Sequence, residues 1–410
     1  MTVATAIADV VERHTNGPLP VHLTAWDGSS AGPGDAPRVV IYRPEALRRL
    51  LWHPGELGVA QAYVTGEIDV RDDLDATLTH LWTVAHERGL SSLRLSPRSI
   101  LDVIRLARSL GVLGLPPANP KSQASIRGRR HSPARDRAAI SHHYDLSNEF
   151  YALILDEHMA YSSAYWTSNE PGYGLADAQT DKLDRVCRKV RLDTRPGMRL
   201  LDVGCGWGSL SLHAAERFGA HVVGVTISRE QKAFIDARVA ARGLGDLVDI
   251  RVQDYRAIPD RGFDAVASIE MGEHVGQRNY PVYAQTLSDK VVPGGLVCIQ
   301  QMSRPAGNHP GGGPFIEAFI APDMYMRPIG RTVDLLEAAG LEIRDVEAMR
   351  EHYVRTVDAW YETFEKNWAL LVDLVGEEMA RVWRLYLVGG RMAFRDGRMG
   401  VDQITAQRPA

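Results

Sequence analysis

A Rossmann-like α/β fold, with a doubly wound sheet preceded by a smaller N-terminal α/β domain, is predicted by three features of this sequence. Leu200-Leu201-Asp202-Val203 has the pattern of a short buried strand and runs into alternating glycines, Gly204, Gly206 and Gly208. From residue 209 to 217 the pattern turns helical, so strand, glycine turn and helix follow one another as in the first βα unit of such a sheet. Further apolar strand patterns at 221–225, 248–252 and 263–269 each end in polar residues. Ligands of doubly wound sheets bind at those strand ends.

A length of 410 residues is enough for two domains with a sizeable core. Hydrophobic residues at 45% and charged residues at 24% are those of an ordinary globular protein rather than a disordered or membrane-spanning one. A net charge of -4 argues against bulk attraction to nucleic acid. Cys187, Cys205 and Cys298 are widely spaced and odd in number, so neither a disulfide framework nor a zinc site is expected, and a reducing cytoplasm is. No basic segment followed by an apolar core opens the sequence, and no apolar run reaches membrane-spanning length. Any membrane contact is therefore expected to be peripheral, at the inner face.

Residues 1–115 read as the accessory domain. A helix is expected at 5–14, then strands at 21–26 and 39–42 around the Asp27-Gly28 turn, then helices at 44–52, 74–88 and 100–110. Trp52, Tyr63 and Trp82 are expected in its core. Residues 116–137 read as a linker, with Lys121, Arg127, Arg129, Arg130, Arg135 and Arg137 against the single acid Asp136. Two readings stay open there, a solvated linker and a polybasic segment drawn to anionic lipid. Nucleic acid is disfavoured because no aromatic residues interleave to stack bases.

Residues 138–410 form the larger domain. His142 and His143 are adjacent and do not share a helix face, so no metal site is expected. Residues 161–166 are dense in hydroxyls and aromatics, and 174–190 make an amphipathic helix leading to the central strand. The second strand is followed by Thr226-Ile-Ser-Arg-Glu-Gln231, where a dinucleotide site usually carries an acid. Gln253-Asp254-Tyr255 ends the third and Glu270-Met-Gly-Glu273-His274 the fourth. Polar groups at successive strand ends suit a nucleoside with an amino-acid tail.

These stretches resemble the cyclopropane fatty acid synthase family of S-adenosylmethionine-dependent methyltransferases, which includes the mycolic acid cyclopropane synthases. The resemblance rests on His143-Tyr-Asp-Leu-Ser-Asn148, Tyr161-Ser-Ser-Ala-Tyr-Trp166, Leu201-Asp-Val-Gly-Cys-Gly-Trp-Gly208 and Val223-Gly-Val-Thr-Ile-Ser228. It continues through Gln253-Asp-Tyr-Arg256, Glu273-His-Val-Gly276 and Trp360-Tyr-Glu-Thr-Phe364, and so covers about residues 138–405. It implies a class I methyltransferase domain with S-adenosylmethionine as cofactor. Tyr161, Ser162, Gly204 and Gly206 would lie by the methionine part, Thr226 and Gln231 by the ribose, and Asp254 and Tyr255 by the adenine, with Asp202, Gly208 and Gln253 also among the cofactor-binding residues.

The resemblance further implies methyl transfer to the cis double bond of an unsaturated phospholipid acyl chain through a carbocation. A bound bicarbonate serves the family as base, held by Cys, Glu, His and Tyr side chains and a backbone amide. Glu273 and Tyr353 match by position, whereas Ser163 replaces Cys, Gln300 replaces His and Met302 replaces Ile. Glu270 also stands where Gly is common, and one branch of the family pairs Glu there with Gln at the position of Gln300. Ser and Gln still donate hydrogen bonds, so bicarbonate is compatible with the sequence.

Both a cyclopropane and a methylene or methyl branch are open as products, the last needing a separate reductase. A homodimer is the state the resemblance implies. Methylation of another small molecule, or lipid and cofactor binding without turnover, are the alternatives. Tyr165, Trp166, Tyr280 and Tyr353 are candidates for facing the cation with their π surfaces. Residues 304–313 are expected to be a mobile loop, and 315–328 either line an acyl entrance or simply connect. Recurring aromatics in the helical stretch 357–387 fit a lipid tunnel and a packing core equally.

Overall fold

α1 (Val3–Thr15) opens the chain with Ile7 and Ala8 on one face, and that face closes over the apolar residues Leu19, Val21 and Leu23 that follow. The structure, a computed structural model, describes residues 1–90, 97–125, 128, 135 and 147–410. Its first compact unit is Met1–Gln123 with Gly376–Met392; the second is Ala124–Val375 with Ala393–Ala410.

In the first unit β1 (His22–Thr24), β2 (Ser30–Ala31), β3 (Arg38–Ile41) and, after α2 (Glu45–Trp52) and α3 (Glu56–Val64), β4 (Ile68–Val70) make a sheet of order β2-β1-β3-β4. Only β1 and β3 pair in parallel. α4 (Leu74–Glu87) starts at Asp73, whose carboxylate accepts the Ala76 amide at 2.7 Å, a helix cap that satisfies an otherwise orphaned donor. α5 (Pro97–Ser109) packs on α1. Arg49 is buried, and its guanidinium makes a bidentate bond to Glu67 at 2.8 and 3.0 Å, so the charge pair is fully compensated. The segment 376–392 is tied in by Arg381 to Asp69, at 3.2 Å, and by Arg391 to Asp75, at 3.1 Å.

The expected helices and strands of this unit are present to within a few residues, and β2, α3 and β4 are additional to them. Tyr63 is buried, whereas Trp52 and Trp82 are half-exposed. The inner faces of α2 and α4 are taken by Ala46 and Arg49 and by Leu74 and Thr77, which leaves the indoles outside. Of the basic linker, Lys121 is exposed and Arg135 is ion-paired with Asp323 inside the second unit. Arg127, Arg129, Arg130 and Arg137 lie outside the described residues, as do His142 and His143.

The second unit begins with α6 (Asn148–Ala152) and α7 (Leu175–Lys189) and continues with β5 (Arg199–Val203), α8 (Ser209–Phe218), β6 (His221–Thr226), α9 (Arg229–Ala241), β7 (Val248–Val252), β8 (Phe263–Ile269), α10 (Tyr280–Lys290) and β9 (Val291–Ser303). α11 (Ile329–Ala338), β10 (Glu342–Ala348), α12 (Arg350–Lys366), α13 (Trp368–Val375), α14 (Glu377–Arg395) and β11 (Gly400–Gln407) complete the chain. The sheet order is β10-β11-β9-β8-β5-β6-β7, parallel from β9 to β7, with β11 antiparallel to both β9 and β10.

Strand periodicity places a core on each face. Leu200 of β5 packs with Leu183, Val186 and Leu210 on one side, while Leu201 and Val203 pack with Tyr283 and Leu287 on the other. β5 and β8 are central, so their carboxyl ends open side by side. No described helix is long and apolar enough to cross a membrane.

Candidate active site

The turn after β5 is the floor of the site. Gly204 has φ +80°, and a Cβ there would lie 2.9 Å from Met271 Sδ, so both conformation and space require glycine. A cavity opens above it. Tyr161, Ser162, Asp202, Gly204, Gly206, Thr226, Gln231, Gln253, Asp254 and Tyr255 all line this cavity, together with Glu270, Trp207, Met271 and His274. Gly208 does not: its missing Cβ makes room for Ile235 of α9, 2.9 Å away.

Several lining side chains hold one another. The Thr226 hydroxyl donates to Gln231 Oε1 at 2.6 Å. Asp254 accepts the Arg256 amide at 3.0 Å and the Arg256 guanidinium at 2.6 and 2.8 Å. Asp202 accepts the Ser211 hydroxyl at 2.7 Å, and burial pushes its pKa up to about 6 against that bond and the nearby Lys182.

Glu270 is the centre of the buried polar network. It follows β8 with φ +52°, a left-handed conformation uncommon outside glycine, and its amide donates to the Gln300 carbonyl at 2.6 Å. Its Oε1 accepts the Ser163 amide at 2.8 Å and Gln300 Nε2 at 2.7 Å, and its Oε2 accepts the Tyr353 hydroxyl at 2.8 Å. Gln300 is held in turn by Gln403 Nε2, at 2.9 Å across the β9–β11 pair. Two of the side chains assigned by resemblance to a bound bicarbonate, Gln300 and Tyr353, therefore bond to a carboxylate that the chain itself supplies, while the Ser163 hydroxyl donates to the Ala164 carbonyl at 3.1 Å. Burial raises the Glu270 pKa, while these donors and Lys182 oppose the rise by favouring the charged form.

Glu273 lies beside it in different surroundings. Neither carboxyl oxygen accepts a hydrogen bond of ordinary geometry, although the amides of Glu273 and Met302 are near enough to favour its charge weakly. Burial first, and repulsion from Glu270 second, push its pKa up to about 8. Burial thus raises both carboxyls, opposed at Glu270 by three donors and Lys182 and at Glu273 only by weak amide contacts and Arg327. Ser163, Gln300 and Tyr353 thus meet at Glu270, while Met302 turns only its amide toward Glu273. Lys182 of α7 is completely buried and donates to Ser162 Oγ at 2.9 Å; burial pushes its pKa down to about 8 against the pull of Glu270, Asp156 and Asp202.

Three of the four aromatic candidates are already engaged. Arginines stack on Tyr165, Trp166 and Tyr280, with Arg185, Arg355 and Arg327 at 4.4, 4.3 and 3.9 Å from the ring centroids. Tyr353 instead joins Trp360, at 6.0 Å, and Trp360 joins Tyr161 of the cavity wall, at 5.3 Å. Trp360 therefore lies between Tyr353 and the Tyr161 ring of the cavity wall. Trp360 belongs to the stretch 360–364 that carries the family resemblance, whereas nothing in the sequence around Lys182 marks it as part of the site. Glu270 is marked in the sequence as a strand-end acid standing where glycine is common, paired with Gln300 as in one branch of the family. No group of three or more metal-ligating side chains occurs among the described residues.

Similarity to known proteins extends over most of the chain. The family described as mycolic acid cyclopropane synthetase matches residues 131–404. A protein named probable fatty acid methyltransferase from Mycobacterium tuberculosis is 37% identical over 415 residues, covering 98% of this chain and 95% of its own. The cyclopropane-fatty-acyl-phospholipid synthase of Escherichia coli is 31% identical over 92% of this chain and 89% of its own. Among solved structures, a mycolic acid cyclopropane synthase complexed with S-adenosylhomocysteine superposes with a TM-score of 0.61 at 29% identity, over 66% of this chain and 98% of that one.

Proposed function

The chain belongs to the mycolic acid cyclopropane synthetase family of S-adenosylmethionine-dependent lipid methyltransferases, and from that premise we propose that it methylates the cis double bond of an unsaturated phospholipid acyl chain, using Glu270 as its own base. The observation that carries the reading is the Glu270 carboxylate, buried and held by Ser163, Gln300 and Tyr353. Bound S-adenosylmethionine supplies an electrophilic methyl group to the double bond, which leaves a carbocation on the acyl chain. The glycine turn at Gly204 and Gly206 admits the amino-acid tail. Thr226 with Gln231, and Asp254 with Tyr255, give the nucleoside its polar edge.

The chain's remaining task is to take a proton from the new methyl group while keeping water away from the cation. Glu270 is placed to take it because it lines the cavity and because burial raises its proton affinity while three donors hold its carboxyl in place. Bicarbonate fits poorly, since the Gln300 and Tyr353 side chains that would hold it are already bonded to Glu270. Trp360, Tyr161 and Tyr353 offer electron-rich faces between base and cavity.

We read the product as a methylene branch. A carboxylate whose oxygens are tied by three hydrogen bonds takes a proton more slowly than a free anion. A 1,2-hydride shift then moves the cation to the methylated carbon before proton loss. Loss of a methyl proton at that stage forms the exocyclic double bond, whereas earlier loss with ring closure forms a cyclopropane. A methyl branch would follow only through a separate reductase.

The test is mass spectrometry of acyl chains after incubation with S-adenosylmethionine and oleoyl phospholipid vesicles. A gain of one CH₂ with ozonolysis to a ketone is expected. A ring that survives ozonolysis would overturn the product, and no gain in vesicles or detergent micelles would overturn the substrate.

A further inference from the structure

We propose that α5 and the turn after it form a docking surface for the anionic face of a phospholipid bilayer. The inference rests on the lipid reading above, since a protein that modifies phospholipid acyl chains must meet a membrane, and no described helix could cross one.

α5 has two different faces. Ser99 and Ala107 are buried on the inner one, where Leu106 and Leu110 join the core of the first unit. Ile100, Leu101, Ile104, Arg105 and Arg108 fall on the outer face, at spacings of one, four, five and eight residues. The three apolar side chains there are 45%, 51% and 46% exposed. A helix with a buried face normally gives its outer face to polar residues, so this mixture of branched apolar chains and arginines is unusual for water.

The turn extends the patch. Val112 is fully buried and anchors it, while Arg48 Nε and Trp52 Nε1 donate to the carbonyls of Val112 and Gly114 at 3.1 and 3.0 Å. Held in this way, Leu113 and Leu115 point outward, 50% and 83% exposed, beside the half-exposed indole of Trp52. The turn is thus built by specific bonds to present two leucines.

Charge identifies the occupant. Arg105 and Arg108 flank the apolar stripe, and the one acid of α5, Asp102, is drawn to His14, Arg13 and Arg105. Apolar residues that enter the acyl boundary, cations at phosphate level and a tryptophan at the edge are the composition of an interfacial helix. A second copy meeting this stripe across a two-fold axis would set arginines against arginines.

The experiment uses the full chain and flotation with vesicles of dioleoyl phosphatidylcholine, with and without phosphatidylglycerol. The wild type is expected to float, more with the anionic lipid and less at high salt. The triple variant I100S/L101S/I104S is expected to lose at least about tenfold in vesicle partitioning, while its melting temperature and S-adenosylmethionine affinity stay at wild-type values. R105Q/R108Q should lose the preference for phosphatidylglycerol, and it decides the matter if the triple variant does not fold. Unchanged flotation of both variants overturns the proposal, as does a triple variant that still floats but no longer self-associates. Wild-type turnover of the same lipid in detergent micelles reports on the functional reading separately, since it does not require a bilayer.

Discussion

The Tyr353 hydroxyl donates to Glu270 Oε2 at 2.8 Å, joining α12 to the carboxyl end of β8. The bond crosses 83 positions of sequence, and it works with the Ser163 amide and the Gln300 side chain to hold a carboxylate in a dry site. Beside it Glu273 has no such partners. The two neighbouring acids therefore differ in what opposes burial: three donors and Lys182 at Glu270, and only weak amide contacts and Arg327 at Glu273.

Glu270→Gln is expected to abolish lipid methylation, with a loss of at least about a hundredfold, as for removal of a general base. Isothermal titration should still find S-adenosylmethionine binding. Glu270→Gly is the sharper variant, since glycine suits the positive φ and vacates the donors. Its turnover should become dependent on added bicarbonate; indifference to bicarbonate would remove Glu270 from the role of internal anion.

Tyr353→Phe takes away one of the donors that keep Glu270 charged. The Glu270 pKa then rises, and the acid limb of the kcat profile should move up by about one pH unit, with a fall in kcat of roughly tenfold at neutral pH. KM for S-adenosylmethionine should not change. A uniform loss of rate with an unmoved acid limb would make Tyr353 a packing residue.

How much of this was legible in the sequence follows from the range of the interactions. The glycine turn and the strand-end residues Thr226, Gln231, Asp254 and Tyr255 belong to local strand–turn–helix patterns, and they line the cavity together. Gly208 belongs to the same motif, yet its space is filled by Ile235, a contact set by how α9 packs. The members Ser163, Glu270, Gln300 and Tyr353 of the buried network were marked by resemblance, but not that three of them bond to Glu270, nor the part of Gln403. The network joins residues 163, 270, 300, 353 and 403, and only the register of β9 on β11 brings Gln300 opposite Gln403. Trp52 and Trp82 were misplaced because aromatic content says nothing about which helix face is already occupied.

Gly204→Ala and Gly206→Ala should fail in different ways. A Cβ at 204 meets Met271 Sδ at 2.9 Å, whereas one at 206 meets no protein atom within 4 Å and enters the cavity. Both carry a positive φ, which costs about 1 kcal/mol or more for alanine. Gly204→Ala should therefore lower the melting temperature more, and Gly206→Ala should mainly weaken S-adenosylmethionine binding. Equal stability losses with equal affinities would count against a ligand at this turn.

Glu273→Gln tests the protonation assignment. In the folded protein the group titrates at about 8, well above its ordinary 4.5, so the native state holds an extra proton between those values. Stability should be full below about pH 4.5 and decline as pH rises toward 8. Glutamine removes that proton-linked term, so the variant should be more stable than wild type at pH 8, by up to a few kcal/mol, and similar to it at pH 5. Parallel melting curves across this range would show that Glu273 is ionised in the folded state.

Lys182→Met tests whether the buried ammonium sets the charge of the base. Lys182 lies between Ser162, which it bonds at 2.9 Å, and the acids Glu270, Asp156 and Asp202, whose attraction raises its pKa against burial. Methionine matches its length and leaves no unpaired charge, but it removes the cation that favours an ionised Glu270. The acid limb of the kcat profile should therefore shift upward by about one unit or more. The stability effect has the opposite sense to that of Glu273. A lysine titrating at about 8 when folded, against an ordinary 10.5, holds fewer protons than the unfolded chain between those values. The wild type gains stability as pH rises through that window, and Lys182→Met should lack the gain. The two readouts separate the roles, because a lysine that served only to pack α7 would change the melting temperature and leave the kinetic limb in place.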